Sequence, residues 1–304
     1  IRRRLTGTWT CHHTRCRGYT PGVITPLRPA VLDELVWHMR GRRVVVLTGA
    51  GISTDSGIPD YRGPQGSLRK RNPVKLQEFL RSETDRRRYW ARSCLGWPFL
   101  RDRRPNPGHA ALAGMQQGGH VGRIITQNVD GLHQAAGAGE VLELHGTLHW
   151  VVCLECSTRM RREDLQQRML ARNPGWLERS VEMAPDGDAE LPPEITESFS
   201  LEPCPICGGT LKPDVVFFGE QVPAARVDAA FTAVRESEVL LVLGSSLTVY
   251  SGFRFAEAAA RAGMPLIIIN RGPTRADRLA SLQVDAALSP TLQELAARLG
   301  PSAD

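Results

Sequence analysis

The stretch Val44-Val45-Val46-Leu47-Thr48-Gly49-Ala50-Gly51-Ile52-Ser53 decides the fold that the sequence predicts. Residues 43–47 predict a buried strand, and the glycines after it predict a tight turn that opens a helix. A strand, a glycine turn and a helix start in this order present backbone N–H groups to a phosphate. Thr54 stands where the dinucleotide fingerprint has its third glycine, so the fragment alone does not identify a ligand.

Strands and helices alternate along the rest of the chain. Further apolar segments predict strands at 121–125, 141–144, 212–220, 239–243, 266–269 and 284–286. Amphipathic patterns predict helices at 31–39, 75–93, 109–116, 159–172, 224–235, 253–262 and 291–299. This alternation predicts an α/β fold with a doubly wound, mainly parallel, Rossmann-like sheet. No acidic residue closes a second predicted strand to hold a ribose, which argues against a dehydrogenase.

Polar side chains follow two of the predicted strands. Gln127, Asn128 and Asp130 come after the strand at 121–125, and His145 comes after the strand at 141–144. Open α/β sheets bind ligands at the carboxyl ends of their strands, so we expect these side chains to meet. An amide pair, a carboxylate and an imidazole suggest a site for chemistry. Asn128 and Asp130 could instead cap the next helix, as Asn and Asp often do.

A polar loop at 55–63 follows the glycine turn and is too rich in glycine and proline for a helix. Its position makes it a candidate lid over a bound ligand. In that interpretation Arg62 pairs with a phosphate and Tyr61 packs on a ring. The alternative is an ordinary surface loop.

Four of the seven cysteines form two Cys-x-x-Cys pairs, Cys153 with Cys156 and Cys204 with Cys207. Four thiolates in this arrangement close a tetrahedral Zn²⁺ site and leave no open position, so the predicted zinc is structural. Such cysteine usage points to a reducing compartment. The segment between the pairs begins as a basic helix and becomes acidic over 178–202, and we expect it to form a mobile, charged insertion.

The formal charge of +6 is carried by the start of the chain, because residues 1–32 contain six arginines and no acidic residue. The remaining residues are formally neutral, which argues against nucleic acid as a partner. The longest apolar runs are too short to cross a membrane. We predict that residues 1–29 form a disordered, Arg-rich tail, although its composition also resembles an organelle transit peptide.

The motifs together resemble those of sirtuins, the NAD-dependent protein lysine deacylases, over about residues 31–300. The long spacing between the cysteine pairs and Arg88-Tyr89-Trp90-Ala91-Arg92 resemble the class II branch, which includes a mitochondrial member. The motifs that carry the resemblance occur in the family's order. They are Gly49–Ser53, Gly57–Arg62, Thr126–Asp130, His145-Gly146, the four cysteines, Phe218-Gly219-Glu220 and Gly244–Leu247.

The resemblance implies a role for each motif. His145 is the general base, with Asn128 and Asp130 beside it in the catalytic site. NAD is the cofactor, and its binding residues are Gly49, Ala50, Gly51, Asp60, Tyr61, Arg62, Gln127, Asn128, Asp130, Gly244, Ser245, Ser246, Asn270 and Asp285. The acyl-lysine peptide pairs as an added strand with Val216, Phe218, Gly219 and Glu220.

The resemblance also implies the reaction and the domains. The acyl group of an acyl-lysine protein passes to ADP-ribose, which releases nicotinamide, free lysine and O-acyl-ADP-ribose. The alternatives are a protein mono-ADP-ribosyltransferase and a non-enzymatic reader of nucleic acid. Residues 30–149 and 214–304 form the NAD-binding domain, and 150–213 form the inserted zinc module.

Residues 66–69 lack the Tyr-x-x-Arg pair of desuccinylating sirtuins, so acetyl, lipoyl-like and branched dicarboxyl chains remain as candidates. The arginine-rich, lysine-poor composition hints at a bacterial source, and the expected location is the bacterial cytoplasm. The mitochondrial matrix is the alternative.

Overall fold

The computed structural model describes residues 27–60, 74–179 and 191–300. Most of the predicted tail, as well as Tyr61, Arg62 and residues 66–69, lie outside these ranges. The helices are α1 (Pro29–Met39), α2 (Leu76–Arg81), α3 (Glu83–Arg101), α4 (Pro107–Gln117), α5 (Leu132–Ala135), α6 (Arg162–Arg172), α7 (Pro193–Glu197), α8 (Ala224–Arg235), α9 (Tyr250–Arg261) and α10 (Leu288–Leu299). The strands are β1 (Val44–Thr48), β2 (Ile124–Thr126), β3 (Val141–Glu143), β4 (Gly146–Cys153), β5 (Arg159–Arg161), β6 (Leu211–Val215), β7 (Val239–Leu243), β8 (Leu266–Ile269) and β9 (Leu282–Val284).

Within the described residues, six strands form a parallel sheet in the order β3-β2-β1-β7-β8-β9. The predicted fold class is therefore confirmed. Strand β1 lies at the centre, where it pairs with β2 on one side and β7 on the other. The chain order reverses next to β1, and at such a switch point the carboxyl ends of the strands leave a crevice for a ligand.

The residues of β1 are buried because helices cover both faces of the sheet. Val44 and Val46 belong to one hydrophobic cluster, with α1, α4 and α10. Val45 and Leu47 belong to a second cluster, with α8 and α9. Successive side chains of a strand point to opposite faces, so this continuous apolar run serves both layers. The alternation of strands and helices in the sequence is thus explained by the burial of each face.

A second, antiparallel sheet has the strand order β5-β4-β6. Val151 of β4 packs in a third hydrophobic cluster with Phe79 of α2 and Trp90 of α3. The sequence interpretation placed α2 and α3 in the larger domain, whereas their apolar side chains pack on the smaller sheet. The proposed domain boundaries remain a prediction, and these contacts favour assigning α2 and α3 to the zinc module.

Two predicted helices differ from the observed elements. The segment 75–93 contains two helices, because Ser82 ends α2 and begins α3, where its hydroxyl accepts a hydrogen bond from the Asp85 amide at 3.1 Å. The segment 159–172 begins as strand β5, since Arg159–Arg161 pairs with β4 before α6 starts. Periodicity alone did not reveal either boundary.

The expectation of a mobile insertion is wrong for its second part. Phe199 is 1% exposed, and its ring packs against Trp176 with the centroids 4.7 Å apart. Glu202 is buried and forms ion pairs with Arg168 and Arg172 of α6. One aromatic and one carboxylate therefore anchor this segment to the module. Residues 180–190 lie outside the described ranges.

In the part of the chain that the structure describes, the helices are too short or too polar to cross a bilayer.

Candidate active site

The imidazole of His145 lies at the carboxyl edge of the parallel sheet, between β3 and β4. Its Nδ1 is 2.9 Å from the backbone oxygen of Gln127, and its Nε2 is 2.8 Å from the hydroxyl of Ser251. A carbonyl oxygen only accepts hydrogen bonds, so Nδ1 carries the proton and Nε2 carries the lone pair. This tautomer presents Nε2 as a base.

Burial lowers the pKa of His145 below 6.5, and the nearby Arg226 guanidinium lowers it further. The hydrogen bond to the Gln127 carbonyl acts in the opposite direction. Both of the lowering effects disfavour a charged ring. His145 is therefore neutral at pH 7, which is the form that a general base needs.

Gln127 joins the ends of three strands to helix α9. Its amide donates to the backbone oxygen of Thr48 at 3.0 Å, and its side-chain oxygen accepts from the Ser245 hydroxyl at 2.7 Å. Gly252 lies so close that a Cβ there would be 2.3 Å from Gln127 Nε2. The carbonyl that orients His145 is thus held from both sides.

Asn128 and Asp130 meet at the hydroxyl of Ser53, in the turn after β1. Ser53 donates to Asp130 Oδ2 at 2.7 Å, and Asn128 Nδ2 lies 3.0 Å from the same hydroxyl and 3.1 Å from the Gly49 oxygen. Asp130 Oδ1 also accepts from the amide of Leu132, the first residue of α5, at 2.9 Å. One oxygen of Asp130 therefore makes the contact that the helix-cap alternative predicts, and the other accepts from Ser53. The role of Asp130 in the site stays a prediction.

Two buried histidines, His109 and His133, lie close to Ser53 and Thr48. Their roles are not evident from the sequence. His133 Nε2 is 2.9 Å from the Thr48 hydroxyl, and the rings of His133 and His109 are 5.0 Å apart. Burial lowers the pKa of His133 to about 3 and also lowers that of His109. Both rings are neutral at pH 7. No spacing rule connects them with Ser53 or Thr48, so only the fold reveals this cluster.

The glycine turn differs from its sequence interpretation. The amides of Gly49 and Gly51 donate to the oxygens of Leu243 and Gly244 at 3.0 and 2.8 Å, so they are not free to bind a phosphate. A Cβ on Gly49 would lie 2.7 Å from the Cβ of Ser245. Glycine is needed here for close packing against the loop after β7. The segment that follows is a 3-10 helix, Ala50–Ser56, and not the start of an α-helix.

The residues predicted to hold the adenosine half lie at the ends of β7, β8 and β9. Asn270 Nδ2 donates to the oxygens of Arg271 and Gly272 at 3.0 Å, and Asp285 Oδ1 is 3.4 Å from the Gly272 amide. Ser246 is 3.1 Å from the hydroxyl of Thr248. These side chains share the edge that carries His145. Asp60 is partly buried at the end of a described range.

The predicted peptide-binding residues follow β6. The amide of Val216 donates to the His145 oxygen at 2.8 Å, and the Phe218 oxygen accepts from the Leu76 amide at 3.0 Å. Gly219 has a φ of +77°, which favours glycine. Val216 therefore pairs with the backbone of His145, whereas one edge of Phe218 is occupied by the start of α2.

Glu220 points into the protein. Its Oε2 accepts from the Phe217 amide at 2.8 Å and pairs with Lys212 Nζ at 3.0 Å. Lys212 is only 5% exposed, and Nζ also donates to the Val215 oxygen at 2.5 Å. This buried ammonium was not singled out from the sequence, because a lysine in a strand usually faces solvent.

The four predicted cysteines meet at the far end of β4. Their sulfur atoms lie within 4.8 Å of one another, with Cys153 and Cys207 at 3.5 Å and Cys156 and Cys204 at 3.7 Å. A tetrahedral Zn–S₄ centre with bonds of about 2.3 Å has sulfur atoms about 3.8 Å apart, so the residues fit this metal. Cys153 is separated from Gly146 by most of β4, roughly 20 Å at the rise of a strand. The metal centre is remote from the imidazole.

Comparisons with known proteins agree with this geometry. A family model described as "Sir2 family" matches residues 49–251. An NAD-dependent protein deacetylase 1 of Streptomyces coelicolor is 50% identical over 282 residues, which cover 93% of this chain and 94% of that protein. An NAD-dependent protein deacetylase of Xanthomonas campestris is 50% identical over 269 residues, 88% of this chain and 91% of that one.

Solved structures give the same result at lower identity. A structure described under the mechanism and regulation of Sir2 enzymes has a TM-score of 0.70 at 28% identity, covering 90% of this chain and 98% of that one. A complex described as Sir2 with a p53 peptide and NAD+ has a TM-score of 0.65 at 29% identity. The match covers 88% of this chain and 96% of that chain.

Proposed function

The chain belongs to the Sir2 family, and we propose on that premise that it is an NAD-dependent protein lysine deacylase. The acyl group of a modified lysine is transferred to ADP-ribose, with release of nicotinamide. Relatives named as NAD-dependent protein deacetylases support this reaction at 50% identity. A Sir2 structure holding a deacetylated p53 peptide and 3'-O-acetyl ADP-ribose supports the same products. No comparison favours the mono-ADP-ribosyltransferase alternative.

The observation that carries the proposal is the orientation of His145. The carbonyl of Gln127 fixes the proton on Nδ1, so that Nε2, which contacts the Ser251 hydroxyl, is the basic nitrogen of the ring. A neutral imidazole in this position suits a base that removes a proton from a hydroxyl group. Asn128 and Asp130, held by Ser53, border the same edge and are proposed to bind the nicotinamide and its ribose.

NAD is the cofactor and supplies the ADP-ribose that accepts the acyl group. The carboxyl edge of the sheet fits a nucleotide, because hydroxyl, amide and carboxylate groups follow β1, β2, β7, β8 and β9. The residues of the protein bind and orient NAD and the acyl-lysine peptide, and His145 Nε2 accepts one proton. A Zn²⁺ ion held by the four thiolates supplies no open coordination position, so its contribution is to the stability of the small module.

The peptide is proposed to lie along the segment after β6. Sirtuin structures bind acetylated peptides, and here the Val216 amide bonds to the backbone of His145 itself. An extended peptide added beside this segment places its acyl-lysine near the imidazole. The backbone bond from Val216 to His145 thus links substrate alignment to the position of the base.

The preferred acyl group is proposed to be acetyl, because the relatives are named deacetylases. The class II assignment stays a prediction. We also propose that the protein works in a bacterial cytoplasm, since the relatives named above are bacterial and the four cysteines are placed to ligate metal as thiolates.

The test is an incubation of the full chain with NAD and a panel of acyl-lysine peptides bearing acetyl, lipoyl-like and branched dicarboxyl groups. Equal amounts of nicotinamide, free lysine and O-acyl-ADP-ribose are expected, most rapidly from the acetyl peptide. Parallel reactions contain labelled NAD and no peptide. Label on protein without O-acyl-ADP-ribose would contradict deacylation and favour ADP-ribosyl transfer.

A further inference from the structure

We propose that the hydroxyl of Ser251 accepts a hydrogen bond from His145 Nε2 once that nitrogen is protonated, and so stabilises the charged form of the base. Ser251 is then a positioning residue for the reaction proposed above, and the inference rests on that function. The contact that carries it is the 2.8 Å distance between Ser251 Oγ and His145 Nε2.

The Ser251 hydroxyl serves His145 in both of its protonation states. With the ring neutral, Nε2 has a lone pair and the hydroxyl donates to it. After proton transfer the Nε2–H donates and the same oxygen accepts. A hydrogen bond with one charged partner is about twice as strong as a neutral one, so the contact favours the imidazolium. Gln127 O accepts from Nδ1 in either state.

The surroundings of His145 otherwise oppose a positive charge. Burial disfavours it, and so does Arg226 of α8, which pairs with Asp214 of β6 at 3.0 Å. Burial raises the pKa of Glu143 of β3, which disfavours the negative charge that would favour an imidazolium. The ring nitrogens themselves contact a carbonyl and a hydroxyl. Ser251 is therefore the side chain that offsets these effects at the protonated nitrogen.

The position of Ser251 is fixed by backbone packing. It is the second residue of α9, a helix of 12 residues. The next residue, Gly252, lies against Gln127 at a distance that no Cβ would permit. The carbonyl on one ring nitrogen and the hydroxyl on the other are thus held by the same contact between α9 and Gln127.

The proton balance of the step is simple. The O–H bond of the substrate hydroxyl breaks, its electron pair stays on oxygen, and an N–H bond forms at His145 Nε2. Before the transfer, the hydrogen of Ser251 turns towards solvent, which its partial exposure allows, so that the Nε2 lone pair is free for the substrate hydroxyl. After the transfer, Ser251 Oγ accepts from the Nε2–H. The proton stays on the imidazole, which has an acceptor at each nitrogen.

The first measurement is an NMR titration of the His145 ring in the ligand-free protein, with the signal assigned by its loss in His145→Ala. In Ser251→Ala the pKa of His145 is expected to fall by about 0.5 to 1 unit, which corresponds to one net hydrogen bond. Ser251→Thr keeps the hydroxyl and should keep the wild-type value. Ser237→Ala, at the end of α8, is the matched control and should change nothing.

An unchanged or raised His145 pKa in Ser251→Ala would overturn the inference, as would a Thr variant that behaves like the Ala variant. Ser251→Gly provides a second deletion if Ser251→Ala is too unstable to titrate. In the deacylation assay kcat of Ser251→Ala should fall about 3- to 10-fold, with KM for NAD unchanged. Wild-type protein that titrates as expected but releases no O-acyl-ADP-ribose would contradict the proposed function and leave the Ser251 contact supported.

Discussion

The two ends of β4 lie beside sites of opposite character. Gly146 follows His145, whose Nε2 is available as a base at the edge of the parallel sheet. Cys153, at the other end, belongs to a group of four thiols whose mutual distances fit one closed zinc centre. In the first site one ring nitrogen contacts a hydroxyl group that can give way to a substrate, whereas in the second site all four sulfur atoms face one another. Strand β4 therefore separates the proposed catalytic base from the group of four cysteines that is proposed to bind a structural zinc.

Replacing the base should give the largest effect. His145→Ala is expected to lower kcat about 10³-fold, because a positioned general base contributes 10²- to 10⁴-fold. Zinc content and thermal unfolding should stay close to those of the wild type, since His145 lies at the opposite end of β4. O-acyl-ADP-ribose release, metal analysis and calorimetry measure the three quantities.

The matched control for this variant is His120→Ala. His120 contacts the Gly300 oxygen at 2.9 Å, away from the carboxyl edge, and its removal should leave turnover intact. Substantial activity in His145→Ala would mean that the base lies elsewhere.

Removing one thiolate should act at the other end of β4. Cys204→Ser is expected to release the zinc and to unfold the small module at a lower temperature, because binding energies of structural zinc are on the order of 10 kcal/mol. Cys94→Ala is the control, since Cys94 is buried in α3 outside the metal group. One zinc per chain in Cys204→Ser would refute the four-thiolate centre.

A smaller effect should follow from Lys212, which lies between the two sites. Lys212→Met leaves the Glu220 carboxylate without its ammonium partner and loosens its bond to the Phe217 amide. We expect KM for the peptide to rise about 10-fold, in line with 1–3 kcal/mol for an unpaired polar group, while KM for NAD and zinc content stay constant. Lys212→Arg should recover part of the loss. Equal changes in both KM values would show a general disturbance instead.

The smallest expected effect is that of pH, which should change the rate of deacylation but not the binding of zinc. The folded pKa of His145 is lowered, so the neutral base is present above pH 6.5 and is lost as the pH falls through a value below 6.5. The rate should be flat from pH 7 to 8 and should decline only in the acid range, while the zinc stays bound at pH 6.5. A rate midpoint above pH 7 would contradict the burial of the base.

The sequence allowed the parallel sheet and the cysteine cluster to be predicted, because their signals are local. Apolar runs such as Val239–Leu243 carry the strand signal, and the cysteine pairs carry the metal signal. Side-chain contacts between residues of different elements have no comparable signal in the sequence. Ser251 and Lys212 contact residues 106 and 8 positions away respectively, and neither pair lies within one helix or one strand.

The glycine turn shows a different limit. The sequence marks Gly49 and Gly51 as special, yet the atoms that require glycine belong to Gly244 and Ser245 in the loop after β7. A sequence can show that a position tolerates no side chain, but the identity of the neighbour depends on tertiary packing.

The location of the cysteine pairs has a consequence for how such enzymes can diverge. The chain between Cys156 and Cys204 begins and ends at the cysteine cluster, next to the outer ends of β4 and β6, and contributes β5, α6 and α7 to the small module. Because Gly146 and Val215 pair at the opposite end of β4, we expect residues gained or lost in the surface turns of this segment to leave that register unaltered. The outer surface of the small module can therefore change without moving the backbone that holds His145.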